Sequence, residues 1–567
     1  MKKTFTTIFL IFSFCFAKAQ TPNFQWAKQI GGTSPIKCNA IAIDQSGNVL
    51  TTGNFASTVD FDPGPSTFTL FAPCNFDIFI NKLDPFGNFM WAKQIGGCVV
   101  DEGVSIAVDA LGNVYTTGSF QGIADFDPGP GSYPLTASGT NSDAFIVKLD
   151  PLGNFVWAKQ FGNTNYDNGN SIIIDASGNV LTTGTFEGVV DFDPGPGTYT
   201  LASPTNTTEI FVSKLNPAGN FLWAKQIGGL LVEEALSIKV DAFKNIYTGG
   251  YFSGIVDFDP GIGTYTISSV GSTNDAFVCK MDSLGNFIWA KQFGGPSNEI
   301  LFSLSLDGFN NVHSAGYFQS TADFDPSIGT YTLSAPGVSE AFISKLDMNG
   351  NFVWAIQTIG VATSFNRATS IAVDVTGSIY TTGYFDTPTD FDPGVGIFTL
   401  TPVAGYDNYI CKFNSSSNLT WVKQIGGSNN EYAQGIALDI SNNIFTCGKF
   451  SGTCDFDPSL ATYTMTSSGV FDYFVQKMSQ GTLGTNQGVL ESRTSIYPNP
   501  TNNKLNIVSE NNISGIKLIN LTGQTVLEKT NLNDSNLSID ISNQAVGIYF
   551  LQIHDGEKIS RVKVVKE

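Results

Sequence analysis

An all-β chain, built from seven copies of one four-stranded unit and ending in a small β-sandwich, is the fold class this sequence predicts. Three observations carry it. All seven tryptophans fall on one beat: Trp26, Trp91, Trp157, Trp223, Trp289, Trp354 and Trp421. The element Asp-Phe-Asp-Pro keeps the same beat, starting at Asp60, Asp125, Asp191, Asp257, Asp323, Asp390 and Asp455. Charged residues are only 14% of the 567, whereas glycines number 59 and aromatics reach 13%, which suits half-buried strands joined by many tight turns. Self-similarity at a fixed period of this length marks a solenoid or a propeller.

Within one unit, "SIIIDASGNVLTTGTF" (171–186) reads as two strands around a tight turn. The turn keeps an aspartate in every copy: Asp44, Asp109, Asp175, Asp241, Asp307, Asp374 and Asp439. Three residues on stand Gly47, Gly112, Gly178, Lys244, Asn310, Gly377 and Asn442, mostly residues that tolerate positive φ. The aspartate accepts backbone N–H groups inside such a turn, which explains it without any function. A second strand pair follows in "DAFIVKLDPLGNFVWAKQFG" (143–162), around Asp150-Pro151-Leu152-Gly153. Four strands per unit make one propeller blade.

The ends show how a ring closes. "NFQWAKQIGG" (23–32) is a fourth strand without its first three, and "DYFVQKM" (472–478) is a third strand without its fourth. Together they complete a seventh blade and remove both open edges. A superhelical array would leave both partial blades exposed, so the expectation is a seven-bladed β-propeller over 20–480, closed by its N-terminal strand.

The N-terminus carries Lys2 and Lys3, an apolar run from Ile8 to Ala17, and Ala17-Lys18-Ala19, the pattern of a signal peptide over 1–19 cut before Gln20. The run is too short to span a bilayer, and no other stretch is long and apolar enough. The seven cysteines beyond it, with no C-x-x-C, read neither as a zinc framework nor as a dense disulfide scaffold. A net charge of −20 argues against a nucleic-acid partner, whose phosphates need a basic footprint, and favours cations or neutral ligands such as glycans.

"SIAVDALGNVYTTG" (105–118), "DAFIVKLDPLGNFVWAKQFG" and their counterparts resemble the bacterial SBBP β-propeller repeat family, from residue 23 to about 480. The resemblance implies a fold and an extracytoplasmic setting, not a reaction, and it does not extend to the Asp-Phe-Asp-Pro insert. After a linker, 481–494, the chain from 495 to 567 carries Tyr497-Pro498-Asn499-Pro500, "LINLTGQTV" (518–526), "GIYFLQI" (547–553) and "KISRVKVVKE" (558–567). Apolar runs at 503–509, 514–520, 536–541, 547–553 and 559–565 read as strands of an Ig-like β-sandwich. The segment resembles the type A sorting domain of the type IX secretion system of Bacteroidetes. The resemblance implies a Gram-negative source, export through the inner membrane, passage across the outer membrane by the type IX machinery, and a surface-attached or released product.

Little in the chain promises catalysis. His313 stands where sister units carry Tyr115 or Leu181 and reads as a packed strand residue, and His554 lies in the C-terminal segment. No G-x-S-x-G, phosphate-binding glycine loop or histidine cluster occurs. Departures from the repeat read as mild: Ile356 replaces a strand lysine, and Ser327 and Ser459 replace a glycine. "VVDFDPGPGTYTL" (189–201) reads as an extra hairpin between a unit's second and third strands, with both aspartates on one face and the phenylalanine on the other. All seven inserts then share one rim, as a ring of fourteen carboxylates: Asp60, Asp62, Asp125, Asp127, Asp191, Asp193, Asp257, Asp259, Asp323, Asp325, Asp390, Asp392, Asp455 and Asp457. These either cap turns or serve as calcium ligands, although two carboxylates fall short of the six to eight oxygens that calcium takes. The function expected is a non-enzymatic scaffold for an extracellular glycan or protein. An extracellular polysaccharide hydrolase or lyase and a structural surface-layer component are the alternatives.

Overall fold

Every regular element among the described residues is a β-strand. The computed structural model describes residues 21–204, 207–480, 494–498, 501–520, 524–555 and 558–566. The signal peptide expected at 1–19 and nearly all of the linker expected at 481–494 lie outside them. The chain divides into two compact units, Met1–Gly481 and Thr482–Glu567.

In the first unit the strands assemble into seven antiparallel sheets with four main strands each, three of them extended to six by the next insert hairpin. A typical sheet runs Asn168–Ile174, Val180–Phe186, Glu209–Leu215 and Phe221–Gly229, in sequence order. The seventh is composite: Glu431–Leu438, Ile444–Phe450 and Asp472–Gln480 are completed by Pro22–Ile30, which pairs antiparallel with Asp472–Gln480. The first strands of the seven sheets touch in sequence order, and the last, Glu431–Leu438, touches the first, Ile36–Ile43. The Asp–x–x–Gly turns form as the sequence predicts. Asp44 Oδ1 accepts the N–H groups of Ser46 and Asn48, and positive φ occurs at Gly47 and even at Lys244 (67°).

A first strand leaves one edge unpaired, and the chain covers that edge with a serine. A register shift falls just before Ser105, Ser171, Ser237, Ser303 and Ser370. Each hydroxyl accepts a backbone N–H from the next sheet's first strand, namely Ile172, Ile238, Leu304, Ile371 and Ile436, at 3.0–3.4 Å. The bulge re-aims one side chain and satisfies one edge donor per interface. Between sheets the side chains form a chain of apolar clusters, such as Leu50, Ile78, Val114, Phe120 and Phe145.

The sheets also meet through buried acids. The third strand carries Asp77, Asp143, Glu209, Asp275 or Asp407, and at or just before the start of the next sheet's first strand stands Asp101, Asp167, Glu233, Glu299 or Glu431; none is more than 2% exposed. A Cβ on Gly96 would lie 2.6 Å from Asp77 Oδ1 and 2.9 Å from Asp101 Oδ2, so the two carboxyl groups crowd one glycine. Burial, with the partner's charge added, pushes Asp101 up to about 7, Glu233 and Glu431 to about 8, and Glu299 to about 9. The fifth sheet's Glu340 faces Asn366 instead of an acid and accepts from Thr358, Ser364 and Asn366 side chains at 2.6–2.9 Å. One disulfide, Cys74–Cys98, ties the first sheet's third strand to the link that follows its fourth.

The second unit holds a five-stranded sheet of Thr494–Tyr497, Lys504–Asn520, Thr525–Asp540, Gly547–Asp555 and Lys558–Lys566. The strands read separately at 503–509 and 514–520 are one continuous strand. Its register shifts between Val508 and Gly515 let the first half pair with Thr494–Tyr497 and the second with Gly547–Asp555. Its core is Leu505, Ile507, Ile516, Leu518, Leu551 and Val564.

The raised acids set the sign of a pH dependence. A carboxyl held above its unfolded value favours the folded state when protonated, so its stabilisation is complete below about pH 4.5 and is lost as pH rises towards 9. Melting temperature is expected to fall from pH 5 to pH 9. Glu299→Gln should raise it by a few degrees at pH 9 and flatten the profile, as followed by circular dichroism. An unchanged profile in this variant would remove the acid pair from the account.

Candidate functional site

The seven inserts are built alike. Six are short hairpins such as Ile255–Asp257 with Thr266–Ser268, and the first is continuous with Val49–Asp60 and Thr69–Leu83. The inserted phenylalanine points inward and is fully buried, Phe258 lying edge-on to Phe252 (5.3 Å) and tilted on Phe277 (5.1 Å). Asp257 Oδ1 accepts the N–H groups of Asp259 (3.1 Å) and Tyr265 (2.8 Å), and Asp259 Oδ1 accepts that of Gly261 (2.8 Å). The same bonds recur at Asp60/Asp62, Asp125/Asp127, Asp191/Asp193, Asp323/Asp325, Asp390/Asp392 and Asp455/Asp457. At Asp125 partial burial raises the carboxyl, but the Tyr133 N–H, the Ser132 hydroxyl and the Asp127 N–H outweigh it and hold the group below its ordinary range.

Six of the seven inserts also pair with the preceding sheet, three of them through single bridges, Asp60 to Gly31, Asp323 to Gly294 and Asp390 to Ile359. Asp125 pairs with Gly96, Asp257 with Gly228 and Asp455 with Gly426, each at the end of a fourth strand. A groove forms over that strand, between consecutive inserts. In the first unit it spans about 390 Å³, with Phe68 on one wall, Lys93 and Gln94 on the floor, and Asp125 and Asp127 on the other wall. Three units on, Tyr265, Lys291, Gln292, Asp323 and Asp325 bound its counterpart of about 300 Å³. The ring at this place is Phe68, Tyr133, Tyr199, Tyr265, Tyr331, Phe398 or Tyr463, each 39–45% exposed. Tyr133, Tyr199, Tyr265 and Tyr331 rest on the phenylalanine of their own fourth strand, whereas Tyr463 rests on Phe24 from the N-terminal strand.

The fourteen aspartates therefore sit in pairs, and each pair caps its own turn. Among the described residues no group of three or more His, Cys, Asp or Glu side chains converges to hold a metal ion. His313 is fully buried, bonded to Asp307 (3.3 Å) and edge-on to Trp354, a packed strand residue. For carboxylates that only cap turns, millimolar calcium followed by excess EDTA should move the melting temperature by less than about 1 °C. An upward shift of several degrees with calcium would make them ligands.

One feature lies outside the repeat logic of the sequence. The cross-strand pair near the start of each first hairpin is polar or acidic early in the chain, as in Glu102/Ser119 and Asn168/Thr185. In the last three sheets it becomes Ile300/Tyr317, Arg367/Tyr384 and Tyr432/Lys449. The departures from the repeat are thus not mild at this position. The only sequence signal is that Arg367 is the sole arginine between residues 21 and 480.

The comparisons with known proteins bear on the class. Residues 25–54, 91–122, 156–185 and 420–449 match the β-propeller repeat family, SBBP. Residues 495–567 match the secretion system C-terminal sorting domain. The chain thus carries β-propeller repeats of the SBBP type and, at 495–567, a type IX sorting domain of the kind found in Bacteroidetes. That tail implies export to the cell surface or beyond and a partner in the type IX machinery.

Among curated proteins it is similar to the uncharacterized WD repeat-containing protein L264 of Acanthamoeba polyphaga mimivirus. The two are 25% identical over 503 residues, covering 75% of this chain and 36% of that one. It is also similar to the regulatory protein FlaEY of Caulobacter vibrioides, at 21% over 222 residues, covering 39% and 22%. The chain thus spans about a third or less of these relatives. Among solved structures, Sqt1 from Chaetomium thermophilum gives a TM-score of 0.38 at 11% identity, covering 82% of this chain and all of that one. PorZ, described as an essential surface component of the type-IX secretion system of Porphyromonas gingivalis, gives 0.18 at 11%, covering 95% and 100%. Likenesses this low in TM-score do not bear on function.

Proposed function

We propose that this chain is an exported, non-enzymatic binding propeller that presents seven equivalent grooves to an extracellular glycan. The seven sheets are read as blades of one ring, four strands each plus the inserted hairpin, with Pro22–Ile30 closing the last. The sequential contacts of the first strands, returning from Glu431–Leu438 to Ile36–Ile43, support this reading, as does the place of Phe24 under Tyr463. The second unit is read as the Ig-like sorting domain that delivers the propeller to the type IX machinery.

The observation that carries the binding reading is the groove. An exposed ring offers a face for the C–H side of a sugar, while a glutamine, a lysine and two aspartates supply donors and acceptors for its hydroxyls. Repetition around a rigid rim turns a weak single contact into avidity for a polymer. Against a hydrolase or lyase stands the burial of the acids with raised proton affinity, Glu233, Glu299 and Glu431, which no solvent reaches.

The full chain is expected to be retained on immobilised extracellular polysaccharide. The triple variant Tyr133→Ala, Tyr199→Ala, Tyr265→Ala should lose at least about tenfold in retention through lost avidity, with the melting temperature nearly kept. Retention unaffected by the triple variant, or turnover of any glycan by the purified chain, would contradict the reading.

A further inference from the structure

In an acidic chain, one stretch of the insert rim is cationic and aromatic. The guanidinium of Arg367 lies 4.3 Å from the Tyr317 ring centroid and 4.4 Å from that of Phe365, sandwiched between the two. Beyond it, Tyr384, Tyr406 and Tyr432 pack on one another at 5.1–5.4 Å. Lys449 closes the row, 5.1 Å over Tyr432 and 4.7 Å over Phe471. All of these side chains are partly exposed.

Among the described residues no carboxylate lies within ion-pairing distance of Arg367 or Lys449. Arg367 Nε is buried and has no hydrogen-bond partner. Asp386, which raises the Tyr406 hydroxyl after burial itself, is engaged by the Phe365 N–H at 2.8 Å. Lys449 is lowered first by burial and then by the nearby charge of Lys37, which is itself paired to Glu102. A guanidinium held over two rings is restrained, and its N–H fork matches a carboxylate in two bonds. The aromatic row beside it offers ring faces, which suit the C–H faces of sugars.

We propose that this patch binds a carboxylate-bearing sugar within an acidic glycan, with Arg367 holding the carboxylate, Lys449 adding charge and the tyrosine row stacking the pyranose rings. The patch is short, and the chain around it carries a net charge of −20, so it suits one or two acid sugars and disfavours a long dense polyanion. The proposal rests on the reading of the chain as a binding propeller, but on a surface separate from the grooves.

The probe is a hexamer of galacturonate, with its fully methyl-esterified form as the neutral control, titrated calorimetrically into the full chain. Wild type should bind the acid at least about tenfold more tightly than the ester. Arg367→Gln should abolish that preference, Arg367→Lys should restore it only in part because the fork is lost, and Lys449→Gln should weaken binding further as salt is lowered. Circular dichroism melts of each variant, matched to wild type, identify loss of the site rather than of the fold. The Tyr133, Tyr199, Tyr265 triple variant should bind the hexamer unchanged, so failure of the groove reading and failure of this one are distinguishable. Equal affinity for acid and ester, no binding of the acid by wild type, or an undiminished preference in a folded Arg367→Gln variant would overturn the proposal.

Discussion

A four-stranded sheet of seven-residue strands has two apolar faces and covers neither by itself, so everything else in the first unit depends on how each sheet grips its sequence neighbours. The grip has three layers. At the inner edge a bulged serine takes an N–H from the next sheet. In the middle, aromatic and branched side chains interdigitate, with the insert phenylalanine as a plug against two further rings. At the outer edge the insert hairpin of one unit pairs with the fourth strand of the one before. Stability in such an array is a sum of sheet terms and nearest-neighbour terms, so a defect at one interface stays local unless the ring itself opens.

The buried acids show what this arrangement tolerates. A pair of carboxyl groups against a glycine in a dry interface is costly when both are charged, and the chain places one at five interfaces. Where the second acid is absent, as beside Glu340, three side-chain donors take its place. Fixed donors satisfy the third-strand carboxyl of Glu340, whereas Asp77, Asp143, Glu209, Asp275 and Asp407 each keep one buried oxygen without a hydrogen-bond partner. The glycine of the Trp-Ala-Lys-Gln-x-Gly run follows from this, because a Cβ on Gly162 would stand 2.2 Å from Asp143 Cγ.

Much of this was legible in the sequence, because a repeat read seven times averages out local ambiguity. The Asp–x–x–Gly turns, the inserted hairpin with its phenylalanine inward, and the pairing of 23–30 with 472–478 all follow from alternation and turn chemistry. The acid pairs were not legible, since the two acids lie 24 residues apart and meet only when two sheets pack. The continuous strand Lys504–Asn520 was read as two because Glu510, Asn511 and Asn512 interrupt its apolar alternation. Arg367 and its tyrosines escaped for a different reason. They occupy one cross-strand pair of positions in three successive units, with Tyr406 from the link before a third strand, so they look like ordinary drift until the sheets bring them side by side. Symmetry set the frame, and the cationic and aromatic row around Arg367 is a departure from it.

The ring closure that the grip implies is tested most directly at the composite sheet, where Asn23 pairs with Ser479. The double variant Asn23→Cys, Ser479→Cys, oxidised under dilute conditions and analysed by non-reducing electrophoresis and peptide mass mapping, should give one intramolecular disulfide between these positions. The same pair left as free thiols, or joined only between molecules, would contradict the account.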